Sequence, residues 1–216
     1  MKTIELIGPS GAGKTTYVNK SFNGSGYYIN PYRVMYESFS FGSTLRHMDF
    51  KSTLIRWLFN YYKLEFAKEF VIEHPDILEP LRGVLENYED RGNILDLAIR
   101  EMSWYEIHSR NLGENCTYVI DDGLYQIHLR LLKHDNWSAA RLIDHLPEPD
   151  MIVFVNTPTK VCLQRQESRQ RGRAKFFRGM NESKALKELD QIQTFSEMII
   201  TEAKKRGISV RLVDNR

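Results

Sequence analysis

The chain has 216 residues, 42% of them hydrophobic, enough to bury one large core, so a single domain over 1–216 is expected. Its 30 Lys and Arg residues against 28 Asp and Glu leave a formal net charge of +2, too mild to argue for a nucleic-acid binder by itself. Cys116 and Cys162, the only cysteines, form no C-x-x-C pair, which speaks against a disulfide scaffold or a zinc site and for a reducing cytoplasm. No signal-peptide pattern or apolar run of membrane-spanning length occurs in the sequence, so a cytoplasmic protein with no membrane partner is expected.

In chain order, "TIELIG" is a compact β-branched run that reads as a strand buried on both faces. "GPSGAGKTT" follows it, and "GYYIN" is a weaker strand candidate. From about 31 to 117 runs a long segment with helical periodicity, first at Leu54, Trp57, Leu58, Tyr61 and Leu64, then at Leu95, Ala98, Ile99, Met102 and Tyr105. Trp57, Tyr61 and Tyr62 read as packing residues on the first of these stripes. "YVIDD" and "MIVFVN" are two further buried strands. A helix over about 182–206 ends before Gly207, ahead of a last buried strand, "ISVRLVD". Strands alternating with helices imply an α/β fold: a three-layer sandwich with a mainly parallel sheet of five strands and helices on both faces. In such sheets ligands gather at the carboxyl ends of the strands.

The glycine-rich stretch matches G-x-x-x-x-G-K-[ST] at Gly8, Gly13, Lys14 and Thr15, between a predicted strand and a predicted helix. Glycines at 8, 11 and 13 let the backbone turn with its N–H groups inward, where they and the following helix N-terminus bind phosphate oxygens. Ser10, Ala12 and Thr16 complete the cradle. Lys14 is placed to reach the β- and γ-phosphates, and the Thr15 hydroxyl to complete a Mg²⁺ shell. Asp121 and Asp122 follow the strand that begins at Tyr118, so a carboxylate reaches the same sheet edge. Asp121 serves there as a Mg²⁺ ligand or as a general base, and the sequence does not separate the two. The bland reading of the pair is a helix cap before Gly123.

"RQESRQRGRAKFFRG" holds Arg165, Arg169, Arg171, Arg173, Lys175 and Arg178 against the single acid Glu167. Arg165 and Arg169 are one helical turn apart, and Gly172 is the expected end of the regular helix. The run over about 165–179 suits a lid whose guanidinium groups neutralise a transferring phosphoryl group. A solvated charged face and a nucleic-acid patch are the competing readings. Tyr32, Arg33 and Arg46 fall in an irregular aromatic stretch where rings can stack on an acceptor and arginines can grip its phosphate. The six histidines share no metal spacing and receive no chemical role.

With glycine loop, strand-end acid and arginine-rich run in this order, the chain resembles the P-loop kinases of the thymidylate kinase and deoxynucleoside kinase group. The likeness spans nearly the whole length and is strongest at "GPSGAGKTT". It implies ATP and Mg²⁺ as cofactors, γ-phosphoryl transfer to a small-molecule acceptor, P-loop roles for Lys14 and Thr15, and lid roles for Arg165, Arg169, Arg171 and Arg173. Two positions depart from the family. Asp122 stands where the family has arginine, and Asn30 ends the second strand where deoxynucleoside kinases usually offer a carboxylate. Asp121 then leads as the residue that orients or deprotonates the acceptor, with Asp122 behind it. Nucleotide or nucleoside acceptors rank slightly ahead of a sugar or polyol. A regulatory nucleotide-hydrolysing switch is the alternative from another class, and the homodimeric state stays open.

Overall fold

The computed structural model describes residues 1–22, 26–28, 50–87, 91–134, 137–169 and 177–215, with side chains given outside 28, 50–58 and 87. Tyr32, Arg33, Arg46, Arg171 and Arg173, together with Asn30, Gly172 and Lys175, lie outside the described residues.

The fold is α/β and built on a parallel sheet. Strands β1 (Lys2–Ile7), β3 (Thr117–Ile120), β4 (Met151–Asn156) and β5 (Ser209–Asp214) carry it, and the two-residue β2 (Tyr27–Tyr28) pairs beside β3. The order is β2-β3-β1-β4-β5, with every pairing parallel. At the centre Ile4 lies opposite both Val119 and Met151. β1 and β4 sit between neighbours and bury Leu6, Ile7, Ile152, Val153 and Val155 completely, which is why they read as unbroken apolar runs. Parallel pairing also brings the carboxyl ends of β1, β3, β4 and β5 to one edge, and this decides where the site forms.

The described helices are α1 (Lys14–Ser21), α2 (Phe50–Glu73), α3 (Leu78–Asn87), α4 (Arg91–Asn111), α5 (Leu124–His128), α6 (Ala139–His145), α7 (Thr159–Glu167) and α8 (Glu182–Lys205), with 3₁₀ turns at Pro75–Ile77 and Leu129–Lys133. α2 and α4 pack along each other, while α8 packs on α6, α7, β4 and β5. α8 starts at Asn181, whose side chain accepts the Lys184 N–H at 2.8 Å, and stops before Gly207 at φ 80°, as the sequence pattern leads one to expect. None of the described helices is long and apolar enough to cross a membrane.

Three expectations need correction. β5 is not buried on both faces: none of its residues is fully buried, and Leu212 is 58% exposed. It is the last strand of the sheet, and its apolar residues do not reveal that position. The stripe expected on α2 is out of phase at its described end; the side chains of Leu54, Trp57 and Leu58 lie outside the described ones. Tyr61, Tyr62 and Leu64 are exposed, and Phe59, Ala67 and Phe70 are buried instead. Aromatic and aliphatic residues occur on more than one face of this helix, so only the partner α4 selects which face is covered. On α4 the stripe reads correctly, with Ala98 and Met102 buried and Leu95, Ile99 and Tyr105 half-buried. Finally, α7 ends at Glu167, ahead of the expected stop at Gly172. The Ser168 hydroxyl, bonded back to the Arg165 carbonyl at 3.1 Å, helps close that end.

Candidate functional site

The loop from Gly8 to Gly13 leaves β1 and enters α1. Gly8, Gly11 and Gly13 all have positive φ, and Gly13, at φ 94°, directly precedes the helix. An L side chain is strained there, and its Cβ would also stand 2.5 Å from the Asn215 amide nitrogen. No side chain caps α1 and no acid occupies its first turn. Its first N–H groups and the positive end of its dipole therefore stay available to an anion.

The loop is fastened from outside by residues the sequence reading did not single out. The Gln126 side-chain oxygen accepts the Gly8 N–H at 3.0 Å, and the Gln166 amide donates to the Ser10 carbonyl at 2.8 Å. The Ala12 carbonyl accepts from the Thr157 hydroxyl at 2.9 Å, from the Asn215 amide at 2.6 Å and from the Arg165 guanidinium at 3.5 Å. Thr157 and Asn215 stand just past the ends of β4 and β5, so two strand ends grip one carbonyl. The Gly8 and Ala12 N–H groups are taken by Gln126 and the Pro9 carbonyl, while the outside hold on the Ser10 and Ala12 carbonyls fixes the turn that aims the remaining loop amides and the start of α1 at the cradle. Nothing in the local sequence around Thr157, Gln166 or Asn215 marks them; their role depends on strand order.

Lys14 is 7% exposed; its ammonium donates to the Gly8 carbonyl at 3.0 Å and pairs with Asp122 at 3.3 Å. The Thr15 hydroxyl donates to the Asp121 carboxylate. Lys14, Thr15, Asp121 and Asp122 are thus brought together as expected, across the gap between α1 and the turn after β3. The capping alternative fails, because Gly123 precedes α5 and no side chain caps it. Burial, and then the Asp122 charge, raise the Asp121 pKa above the ordinary value, against lowering by Thr15, Lys14 and Arg169. Its second oxygen, Oδ1, is buried without a hydrogen-bond partner, as a carboxylate awaiting a cation or a water-bound cation would be. Arg169 is near enough for its charge to lower the Asp121 pKa, whereas Arg165 faces the flank of the loop.

Among the described residues no group of three or more His, Cys, Asp or Glu side chains forms a metal centre on its own. A divalent ion fits only as phosphate-linked Mg²⁺ does, with Thr15 and Asp121 supplying part of the shell and phosphate oxygens and water the rest. The cradle, the uncapped helix and the orphaned Asp121 oxygen all suit that arrangement. His108 and His128 are buried elsewhere, their Nδ1–H groups donating to the Trp104 and Leu124 carbonyls at 2.6 and 2.7 Å. Burial pushes both down to about 4, so they are neutral packing groups. Both cysteines are free thiols.

Glu5 is the remaining unforeseen residue. It lies inside β1, is 4% exposed, and sits beneath Gly123. An acid within an otherwise apolar strand was the signal available in "TIELIG". No family model and no curated protein sequence matches the chain.

Proposed function

We propose that the protein is an ATP- and Mg²⁺-dependent phosphotransferase that moves the γ-phosphoryl group to a small-molecule acceptor. The observation that carries this reading is the convergence of Lys14, Thr15, Asp121 and Asp122 on a loop whose carbonyls are tied back and whose following helix is uncapped. Lys14 exchanges the Asp122 carboxylate for phosphate oxygens. Thr15 and Asp121 separate to hold the magnesium ion, which supplies bridging and charge neutralisation at the phosphates. Arg169, close to Asp121, faces the charge that builds on the transferring group. An acceptor hydroxyl oxygen forms the new bond to the γ-phosphorus as the bond to the β,γ-bridging oxygen breaks. ADP leaves with that electron pair, and the hydroxyl proton passes to Asp122, the carboxylate left without a partner.

The resemblance to thymidylate and deoxynucleoside kinases supports this reading and carries its finer parts. These are β2 as the fifth strand of a three-layer domain, a lid over 165–179 bearing Arg171 and Arg173, a cytoplasmic location, and an acceptor site including Tyr32, Arg33 and Arg46. A nucleoside or nucleotide ranks slightly ahead of a sugar or polyol as acceptor, and nucleic acid has only the local charge of 165–179 in its favour. The alternative, a nucleotide-hydrolysing switch, has no need of an arginine run after the fourth strand.

The test is acceptor-dependent ADP release with ATP and Mg²⁺, screened against nucleosides, nucleoside monophosphates and sugars, with Lys14→Ala as the blank. Stimulation by one class, lost in the blank, is the expected result. Basal hydrolysis that depends on Lys14 but responds to no acceptor would move the switch ahead.

A further inference from the structure

We propose that Glu5 is a positioning residue: its buried carboxyl sets the Asp121–Asp122–Gly123 turn at the height from which the two aspartates meet the phosphate loop. The inference rests on the reading above and adds a residue that neither motif contains.

Three observations converge. First, the Glu5 carboxyl reaches from β1 to Gly123, the residue that precedes α5, and lies near enough to the Leu124 N–H for that group to lower its pKa. Second, the carboxyl fills the space beneath Gly123 where a side chain would begin. A Cβ at that position would collide with both Glu5 oxygens and with the Ile120 side chain, so the turn can lie this close only with glycine there. Third, Glu5 Oε2 is buried without a partner, a cost that a strand facing a purely structural neighbour would avoid with valine or isoleucine. Ile120, at the end of β3, leads straight into Asp121, which contacts Thr15, and Asp122, which pairs with Lys14. A shift of this turn therefore moves two carboxylates relative to the loop at once.

The environment defines the form in which Glu5 acts. Burial, then the charges of Glu101 and Asp122, hold its pKa well above the carboxylate range, with the nearby Leu124 N–H pulling the other way. Glu101, on α4, is 5% exposed and bound to the Arg100 guanidinium at 2.9 and 3.1 Å. A carboxyl that resists ionisation leaves the negative charge to Asp121 and Asp122, where the proposed reading binds cations. Its amide analogue has the same shape and carries no charge at any pH.

The experiment measures ATP binding as a function of Mg²⁺ concentration in Glu5→Ala, Glu5→Gln, Gly123→Ala, the Glu5→Ala/Gly123→Ala double variant and Ile199→Ala, with Lys14→Ala as control. Residues behind metal ligands typically change metal affinity about 10- to 100-fold. Glu5→Ala and Gly123→Ala are expected to raise the half-saturating Mg²⁺ concentration about tenfold, and Glu5→Gln to restore most of that loss. Ile199→Ala, a buried change on α8, is expected to lower stability without moving the Mg²⁺ response. In the Glu5→Ala/Gly123→Ala double variant the Gly123→Ala effect should shrink, because the colliding carboxyl is gone. The positioning role is overturned if Gly123→Ala leaves the Mg²⁺ response unmoved, if Ile199→Ala moves it equally, or if Glu5→Gln is as damaging as Glu5→Ala. Should Glu5→Ala fail to fold, Gly123→Ala and Glu5→Gln decide. ATP binding that survives Lys14→Ala would overturn the phosphate-cradle reading itself, a result distinct from all of these.

Discussion

Lys14 and Asp122 form an ion pair at 3.3 Å in which the ammonium is 7% exposed and the carboxylate 66% exposed. In the proposed function the cation that would meet a polyphosphate is thus already engaged by a partly solvated partner. Solvation of the carboxylate screens the pair toward the range of surface ion pairs, about 0.2–1 kcal/mol. Removing the competitor with Asp122→Asn should tighten ATP binding by roughly two- to fivefold in calorimetric titration, while acceptor-dependent turnover falls. Weaker binding in that variant would mean that Asp122 helps to hold the nucleotide.

Glu101 gives a pH dependence with a definite sign. Burial raises its pKa from 4.5 to about 7, only partly offset by Arg100. The folded state therefore binds its proton more readily than the unfolded chain does between those values, and this group adds stability as pH falls toward 4.5. His108 and His128, pushed down from 6.5 to about 4, act in the opposite direction: the unfolded chain takes up their protons first as pH falls through that interval. Glu101→Gln removes the favourable contribution and leaves the histidines. Urea midpoints taken from about pH 7 to about pH 5 should fall more steeply in that variant than in the parent, by up to about 1.4 kcal/mol per pH unit where Glu101 titrates. Parallel curves would show that Glu101 does not hold a raised pKa.

Thr157 is fully buried, and its hydroxyl donates toward the Ala12 carbonyl at 2.9 Å and the Asn215 carbonyl at 3.2 Å. Thr157→Val keeps the shape and loses both contacts, while Asn215 still serves Ala12. A stability loss of about 1 kcal/mol, with ATP affinity reduced several-fold, is expected from thermal melting and titration. Unchanged affinity would show that the loop keeps its geometry without that anchor.

Leu212 on β5 is 58% exposed, whereas Ile152 on β4 is fully buried. Leu212→Lys should leave the melting transition within about 0.5 kcal/mol of the parent, against about 2–5 kcal/mol lost in Ile152→Ala. A large loss in Leu212→Lys would indicate that a second copy covers this edge, which sedimentation would then detect.

Much of the site was legible because its chemistry is local. Gly8 to Thr15 must be contiguous to wrap a phosphate, and Asp121 and Asp122 declare themselves by ending an apolar strand. The α4 stripe was legible for a similar reason, since its apolar residues at Leu95, Ala98 and Met102 follow one helical face. α2 was not. With Phe59, Tyr61, Tyr62, Leu64 and Phe70 distributed around the helix, periodicity alone leaves several faces available, and contact with α4 chose the one bearing Phe59 and Phe70. β5 shows the same limit: its composition suits a buried strand, and only its place at the end of the order exposes it.

By itself the sequence determined the α/β alternation, the phosphate-loop motif and the acid after β3, because each depends on neighbouring residues and on periods of two or 3.6. Tertiary structure alone decided that Thr157 and Asn215 share the Ala12 carbonyl, that Lys14 rests on Asp122, and that Glu5 lies under Gly123. Those contacts join residues far apart in the chain. Parallel strand order and register, set by burial across the whole sheet, are what bring them to one edge.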